Sequence, residues 1–457
     1  MHLSRSVDMT EGPIARHLIN FAAPMLIGLV FQQLYNTVDT IVVGNFVSSQ
    51  ALAAVGVSGP LISTLLGFFN GFSVGATVVI ARCFGARDHK GVQNAVHTTI
   101  LVTLLMAIVF TVAGTALAPA LLHLMRAPDD MFEEASIYFR IYFEGVTGLM
   151  LYNMGAGILR AVGDSKRPLY FLIFSAIVNT AGDLLFVLVF HMGVAGVAYA
   201  TILAQALSAV LVLITLIRSH GDYHLDLRRL RIDLPTLKRI VGIGLPTALQ
   251  GALTSLSNVF VHSYINVFGT ACAAGWSVYG KLDQFALLPQ QAISMASATF
   301  VSQNLGANDI TRAKRGIRTA LLIGMSCTAV LMTPLLLFAR PLLTLFNQDP
   351  DVLYYGVMFV QFISPFYLFA CVNDIIGGAL RGAGEAMAAM ICMLSTFVVS
   401  RQIYLFFISR ATDSPLLIGL GYPLGWILCC ISLLFCYRLI PWEQKQAQRQ
   451  MGTAKSA

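Results

Sequence analysis

The sequence predicts an all-α membrane protein, with twelve transmembrane helices in two pseudo-symmetric six-helix lobes that form a parallel repeat, and three observations lead there. Hydrophobic residues fill 57% of the 457 positions and charged residues only 11%, against about 25% charged in soluble domains. So little polar surface cannot face water. The apolar residues gather into roughly a dozen stretches, most of them long enough to cross a hydrocarbon core of about 30 Å, which takes about 20 helical residues. The third observation is internal: the first half of the chain aligns with the second at a nearly constant offset.

The stretches are continuous, not alternating segments of about 10 residues as in a membrane barrel, so the spans are helices. They are expected at 17–43, 50–81, 92–123, 132–160, 167–190, 193–217, 237–267, 272–302, 313–345, 352–380, 386–409 and 415–439. The start, MHLSRSVDMTEGPIARHL, is too polar for a signal peptide, so the first stretch is expected to remain as helix 1. Positive charge sorts by side. Arg82, Arg87, Lys90, Arg160, Lys166, Arg167, the run from Arg218 to Arg239, and Arg312, Lys314, Arg315, Arg318 and Arg381 fall in one set of connections, whereas the other set receives Arg126, Arg340 and Arg410. This asymmetry predicts a multi-pass inner-membrane protein with both termini cytoplasmic, and it assigns the net charge of +7 to topology, with no nucleic-acid partner.

The only extended polar stretch inside the chain, RSHGDYHLDLRRLRIDLPTLKR, leaves six spans on each side. It predicts an N-terminal lobe at 1–217, a cytoplasmic linker at 218–236, a C-terminal lobe at 237–440 and a cytoplasmic tail at 441–457. Pro24 falls opposite Pro246, Leu34 opposite Leu256 and Asn36 opposite Asn258, an offset of 222. Beyond them the offset is 221: Gly59-x-Leu61 meets Gly280-x-Leu282, Gly85-Ala86-x-Asp88 meets Gly306-Ala307-x-Asp309, and Gly157-x-Leu159-Arg160-x-x-Gly163 meets Gly378-x-Leu380-Arg381-x-x-Gly384. An even number of spans per repeat makes both halves enter the membrane from the same side.

Acids within the spans are the leading functional candidates, because each costs about 2.5 to 3.5 kcal/mol on insertion scales. Asp39 in helix 1 shares one helical face with Gln32, Tyr35 and Asn36. Asp183 in helix 5 lies one turn beyond Asn179. Two carboxylates and an amide oxygen suit a hard monovalent cation or a shared proton, and Thr201 on helix 6 adds a hydroxyl unless it bonds back to its own helix. Asn153 and Asp374 occupy matching repeat positions in helices 4 and 10, and Lys281 and Asp283 lie near the start of helix 8. Arg140 and Glu144 are spaced for an i, i+4 pair, while Arg401 in helix 11 calls for an acidic partner in the second lobe. His97, His191 and His262 lack ligand spacing, and no Cys-x-x-Cys occurs among the eight cysteines, so no metal centre is expected beyond Na+ at the acids.

Pro24 and Pro246 interrupt helices 1 and 7 at equivalent places and are candidate hinges. Gly275 to Lys281 has P-loop spacing, but Leu282 stands where Ser or Thr is required and the segment is apolar. Without a nucleotide site, the energy source is expected to be an ion gradient.

Taken together, TEGPIARHLINFAAPMLIG, LYNTVDTIVVG, GFSVGATVVIARCFGARD and GILRAVGDSKRP, with their second-half counterparts, resemble the multidrug and toxic compound extrusion (MATE) transporters, and more closely their DinF-like bacterial branch. The likeness covers nearly the whole chain. It implies a V-shaped pair of lobes exporting cationic or amphipathic small molecules against inward H+ or Na+, with no cofactor and no enzymatic activity. It also implies a first-lobe cation site at Asp39, Asn179, Asp183 and Thr201 with Tyr138 nearby, supported by Gln32, Tyr35, Asn36 and Asn153, and a helix 1 bend at Pro24. Val261 and His262 stand opposite Asp39, where another branch places an acid in helix 7. The expected partners are the substrate and the lipid bilayer, and the expected state is a monomer. Alternatives are a flippase for lipid-linked precursors, which would want a cationic cavity, a membrane-embedded lipid-modifying enzyme, for which no acid cluster or His and Glu pair is present, and a channel, for which no filter-like segment is present.

Overall fold

A computed structural model describes residues 7–47, 49–124 and 129–442, so the expected tail lies outside the described residues beyond 442. The first half comprises α1 (Ile14–Phe46), α2 (Ser49–Gly85), α3 (His89–Leu124), α4 (Asp129–Glu144), α5 (Val146–Ala161), α6 (Lys166–Leu184) and α7 (Gly193–Ile217). The second comprises α8 (Leu234–Asn266), α9 (Thr270–Gly306), α10 (Ile310–Leu337), α11 (Ala339–Thr344), α12 (Pro350–Ile363), α13 (Tyr367–Gly382), α14 (Ala386–Leu394), α15 (Arg401–Ala411), α16 (Pro415–Gly419) and α17 (Gly421–Leu439). Among the described residues, ten helical stretches are long and apolar enough to cross a membrane. Of the other two expected spans, the fourth divides at Gly145 into α4 and α5, and the eighth is the unbroken 37-residue α9. Large apolar side chains such as Ile108, Val109 and Val112 on α3 and Leu322 and Val330 on α10 point outward, as lipid requires.

The sequence repeat becomes a repeat of contacts. In Gly-Ala-x-Asp the x residue takes a left-handed backbone, φ 55° at Arg87 and 62° at Asn308. The aspartate that follows caps the next helix: Asp88 accepts from the Gly91 amide at 2.9 Å, and Asp309 from the Arg312 amide at 2.7 Å. This closes one helix and opens another within three residues. Gly163 and Gly384 form the second repeated turn, with φ 83° and 85°. Ser73 donates to the Asn153 carbonyl at 2.9 Å, and Ser294 to the Asp374 carbonyl at 2.6 Å. Beside these bonds, a Cβ on Gly157 would meet Ser73 Oγ at 2.6 Å, and one on Gly378 would meet Ser294 Oγ at 2.5 Å. Small residues here let backbones approach closely, which drives helix association where lipid removes the hydrophobic effect.

Two compact units result. One contains Ala23–Ala248 and the segment ending at Asp8; the other contains Met9–Ala22 and everything from Leu249 onward. The changeovers therefore fall inside α1 and α8, two residues from Pro24 and Pro246, and the 218–236 connection packs wholly within the first unit. There the Asp226 amide donates to His97 at 3.1 Å, Arg231 to Asn94 at 2.7 Å, and the Asp233 amide to Thr98 at 3.0 Å. Asp233 then caps α8 through the Thr236 amide at 3.0 Å, and the bonds from Thr236, with Arg231 and Arg239 near, hold its carboxyl below the ordinary carboxylate range. In the second unit the Met9 amide donates to Gln303 at 3.0 Å, and Arg312 donates to the Gly12 carbonyl at 2.7 Å.

Two expected pairings are corrected. Arg140 and Glu144 are both exposed and, among the described residues, no ion pair joins them. Exposed pairs gain little over hydration, so nothing holds two long side chains together. Arg401 is buried but, among the described residues, engages no acid: it donates to Ser257 at 2.7 Å and Asn258 at 2.8 Å, with its guanidinium 4.7 Å from the Tyr422 ring centre. A hydroxyl, an amide and an aromatic face replace the carboxylate.

Gly378→Val should drive a branched side chain into Ser294 and lower stability by about 1 to 3 kcal/mol. A thermal-unfolding midpoint equal to the parent's, measured in detergent, contradicts the close approach.

Candidate functional site

Four helices of the first unit converge on Asp39 and Asp183. Helix α1 brings Tyr35 and Asp39, with half-buried Gln32 on the same face, and α6 carries Asn179 and Asp183 one turn apart. Thr201 and Gln205 lie one turn apart on α7, and Tyr138 and Tyr142 one turn apart on α4. Period 3.6 turns each of these pairs toward one side of its helix. The Asp39 and Asp183 carboxyl groups lie close enough to act on each other electrostatically. No basic residue accompanies them among the described residues. The Tyr138 phenol lies close to both acids, and Tyr35 lies close to Gln205, Asp39, Tyr138 and Tyr142.

Around this pair the oxygens outnumber the donors. Asn179 Nδ2 donates to Thr201 Oγ1 at 3.4 Å, and Thr201 donates to the Val197 carbonyl at 3.0 Å. The threonine hydrogen is thus committed to its own helix, leaving its oxygen as an acceptor. Asp39 Oδ1, Asn179 Oδ1, both carboxyl oxygens of Asp183 and Gln205 Oε1 are buried and receive no hydrogen bond. Asp183 is completely buried and Asn179 nearly so. Buried acceptors without donors are costly. A hard monovalent cation or a proton relieves that cost, and this donor set of carboxylate, amide and hydroxyl oxygens fits either one.

The other expected residues separate. Asn36 is exposed on α1. Asn153 donates to the Leu149 carbonyl of its own helix at 2.9 Å, which makes it a packing group. Gln205 and Tyr142 were not expected at the site. Their spacing, four residues after Thr201 and after Tyr138, was the available signal. Opposite Asp39 in the repeat, Val261 is fully buried and the His262 ring meets Trp276 edge-on at 6.1 Å. Asp283 of the second unit instead accepts from the Tyr279 hydroxyl at 3.1 Å.

A family model described as MatE matches residues 24–185 and again 246–405, one match per repeat. The chain is 28% identical over 446 residues to the probable multidrug resistance protein YpnP of Bacillus subtilis, covering 96% of this chain and 98% of that one. It is 25% identical over 385 residues to the probable multidrug resistance protein NorM of Thermotoga maritima, covering 83% and 82%. Among solved structures, an outward-facing multidrug resistance MATE family transporter of the MOP superfamily superposes with a TM-score of 0.90 at 21% identity, over 99% of this chain and 100% of that one, a likeness of fold.

Because two acids face each other without a base, Asp183→Asn should raise the thermal-unfolding midpoint in alkaline, sodium-free detergent solution, a gain of about 1 kcal/mol or more. An equal or lower midpoint contradicts the pairing.

Proposed function

The chain belongs to the MatE family, and from that premise we propose that it is a secondary antiporter exporting cationic or amphipathic small molecules, coupled to inward H+ or Na+ by alternating access. The observation that carries the reading is the closeness of the Asp39 and Asp183 carboxyl groups inside the first unit, ringed by acceptors that lack donors. A proton or sodium ion binds between the acids and cancels one of their two charges; when it leaves, the full negative charge attracts the cationic substrate. Substrate and ion therefore stabilise different states of one site, which is the thermodynamic requirement for exchange.

Helix α1 supplies the moving part. Pro24 has no amide hydrogen, so the Asn20 carbonyl lacks its usual donor and α1 bends there at low cost. Asp39 lies four turns beyond, where a small change of angle becomes a displacement of the carboxyl. Pro246 gives α8 the equivalent freedom. The names of YpnP and NorM, and the ten apolar stretches, support multidrug export across a membrane. The charge asymmetry of the connections supports an inner-membrane orientation with cytoplasmic termini.

Purified protein in liposomes, given a pH gradient or a sodium gradient separately, should export a cationic dye under one or both. Asp39→Asn should abolish gradient-driven efflux while leaving the protein folded in the membrane. Unchanged efflux removes the coupling role of this acid.

A further inference from the structure

In the first unit, α4, α5, α7 and the segment after α6 that carries Phe186 and Met192 line an open groove of about 810 Å³, within the range of small-molecule sites, about 300 to 1,000 Å³. Phe186, Leu203, Ala206 and Val210 form much of its wall. Thr147 and Tyr199 add uncharged hydroxyls, and Glu144 brings the only formal charge. The groove follows from two glycines. A Cβ on Gly145 would lie 2.1 Å from Ile202, and one on Gly148 would lie 2.9 Å from the Ala206 amide nitrogen. The chain at Gly145 therefore lies against the Ile202 side chain, the α5 and α7 backbones meet closely at Gly148, and the space beside these contacts stays open.

Glu144 is the last residue of α4, immediately before the break at Gly145, and its side chain is exposed. It lies 15 residues after Asp129 and 17 before Ala161, about 22 and 26 Å along the helices from either end. That depth is well inside a core of about 30 Å, where a carboxylate costs about 2.5 to 3.5 kcal/mol. No hydrogen bond or ion pair engages it among the described residues, and Arg140, one turn back on α4, is exposed and outside the lining. A neutral chain in the groove would leave this charge uncompensated, and an anion would add repulsion. A cation with an apolar tail matches both parts.

We propose that this groove binds single-chain amphipathic cations dissolved in the bilayer, with the ammonium head on Glu144 and the alkyl chain along α7. The lined face of α7, Tyr199 to Leu213, covers 15 residues, about 21 Å from first to last, room for a long tail. Helix α7 is a shared wall: Thr201 and Gln205 turn toward the paired acids, while Ile202, Leu203 and Ala206 face the groove. The site thus collects from lipid the kind of molecule that the efflux reading exports, and it rests on that reading only for the ligand's chemical class.

The test uses full-length protein in phosphatidylcholine nanodiscs and a photoreactive alkyltrimethylammonium, with labelled peptides identified by mass spectrometry. Labelling should fall on residues 199–213 and be displaced by hexadecyltrimethylammonium but not by hexadecanol. Glu144→Gln and Ala206→Phe should each reduce it about tenfold, the size of one lost ion pair in a site of this depth. Asp183→Asn should label like the parent, because its carboxylate is on the other side of α7. Equal labelling of Glu144→Gln, or equal displacement by hexadecanol or phosphatidylethanolamine, overturns the proposal and makes the groove an ordinary lipid contact. Loss of labelling with intact gradient-driven efflux sinks this inference alone; intact labelling with no efflux sinks the coupling reading alone.

Discussion

Two carboxyl groups placed close together inside a helical bundle, with no base beside them among the described residues, set the terms for the rest of the first unit. Burying two acids together is costly unless a positive particle is shared between them, which sets the proposed coupling site apart from ordinary core. The surrounding choices follow from that constraint. Thr201 spends its hydrogen on its own helix, Asn179 turns its amide nitrogen away to Thr201, and the oxygens of Asp39, Asn179 and Asp183 are left free to receive. The second unit resolves its buried charges differently. Asp283 is met by a tyrosine hydroxyl, and Arg401 by Ser257, Asn258 and the face of Tyr422. One duplicated scaffold thus carries an unfinished charge arrangement in one half and a largely satisfied one in the other.

The scaffold itself is held by economical devices repeated at a fixed spacing. A left-handed residue and a capping aspartate turn the chain at Arg87–Asp88 and again at Asn308–Asp309. A serine and a glycine set the approach of two helices at Ser73 and Gly157 and again at Ser294 and Gly378. In lipid, where apolar side chains gain nothing by leaving solvent for protein, such close backbone contacts and single hydrogen bonds carry the specificity of packing.

The spans were legible because lipid imposes a length and excludes charge, and 193–217 matches α7 end to end. The repeat was legible because turns and glycine contacts demand particular residues. Asp39 and Asp183 stood out because an acid in a membrane helix is expensive, and Asn179 because it lies one turn from Asp183. Gln205 and Tyr142 were missed because an uncharged polar residue in a helix gives no sign of which neighbour it will face; that depends on the rotation of α7 and α4 as packed. The expected pair of Arg140 and Glu144 shows the converse limit, since spacing brings two side chains within reach but does not make them meet. Nor could composition show that the packed units change over inside α1 and α8, because the partners of residues 9–22 lie hundreds of positions away.

That changeover bears on how the protein is made. Residues 9–22 are synthesised before the groups that hold them, Gln303 and Arg312, which follow only after the whole first unit. The leading stretch of α1 must therefore wait, inserted but without its neighbours, through most of translation. The first unit in turn stays incomplete until the chain has passed the linker and reached Ala248. Cutting the gene at the linker would give two fragments, each lacking a piece that its own unit requires, so co-expression of both halves becomes a condition for assembly.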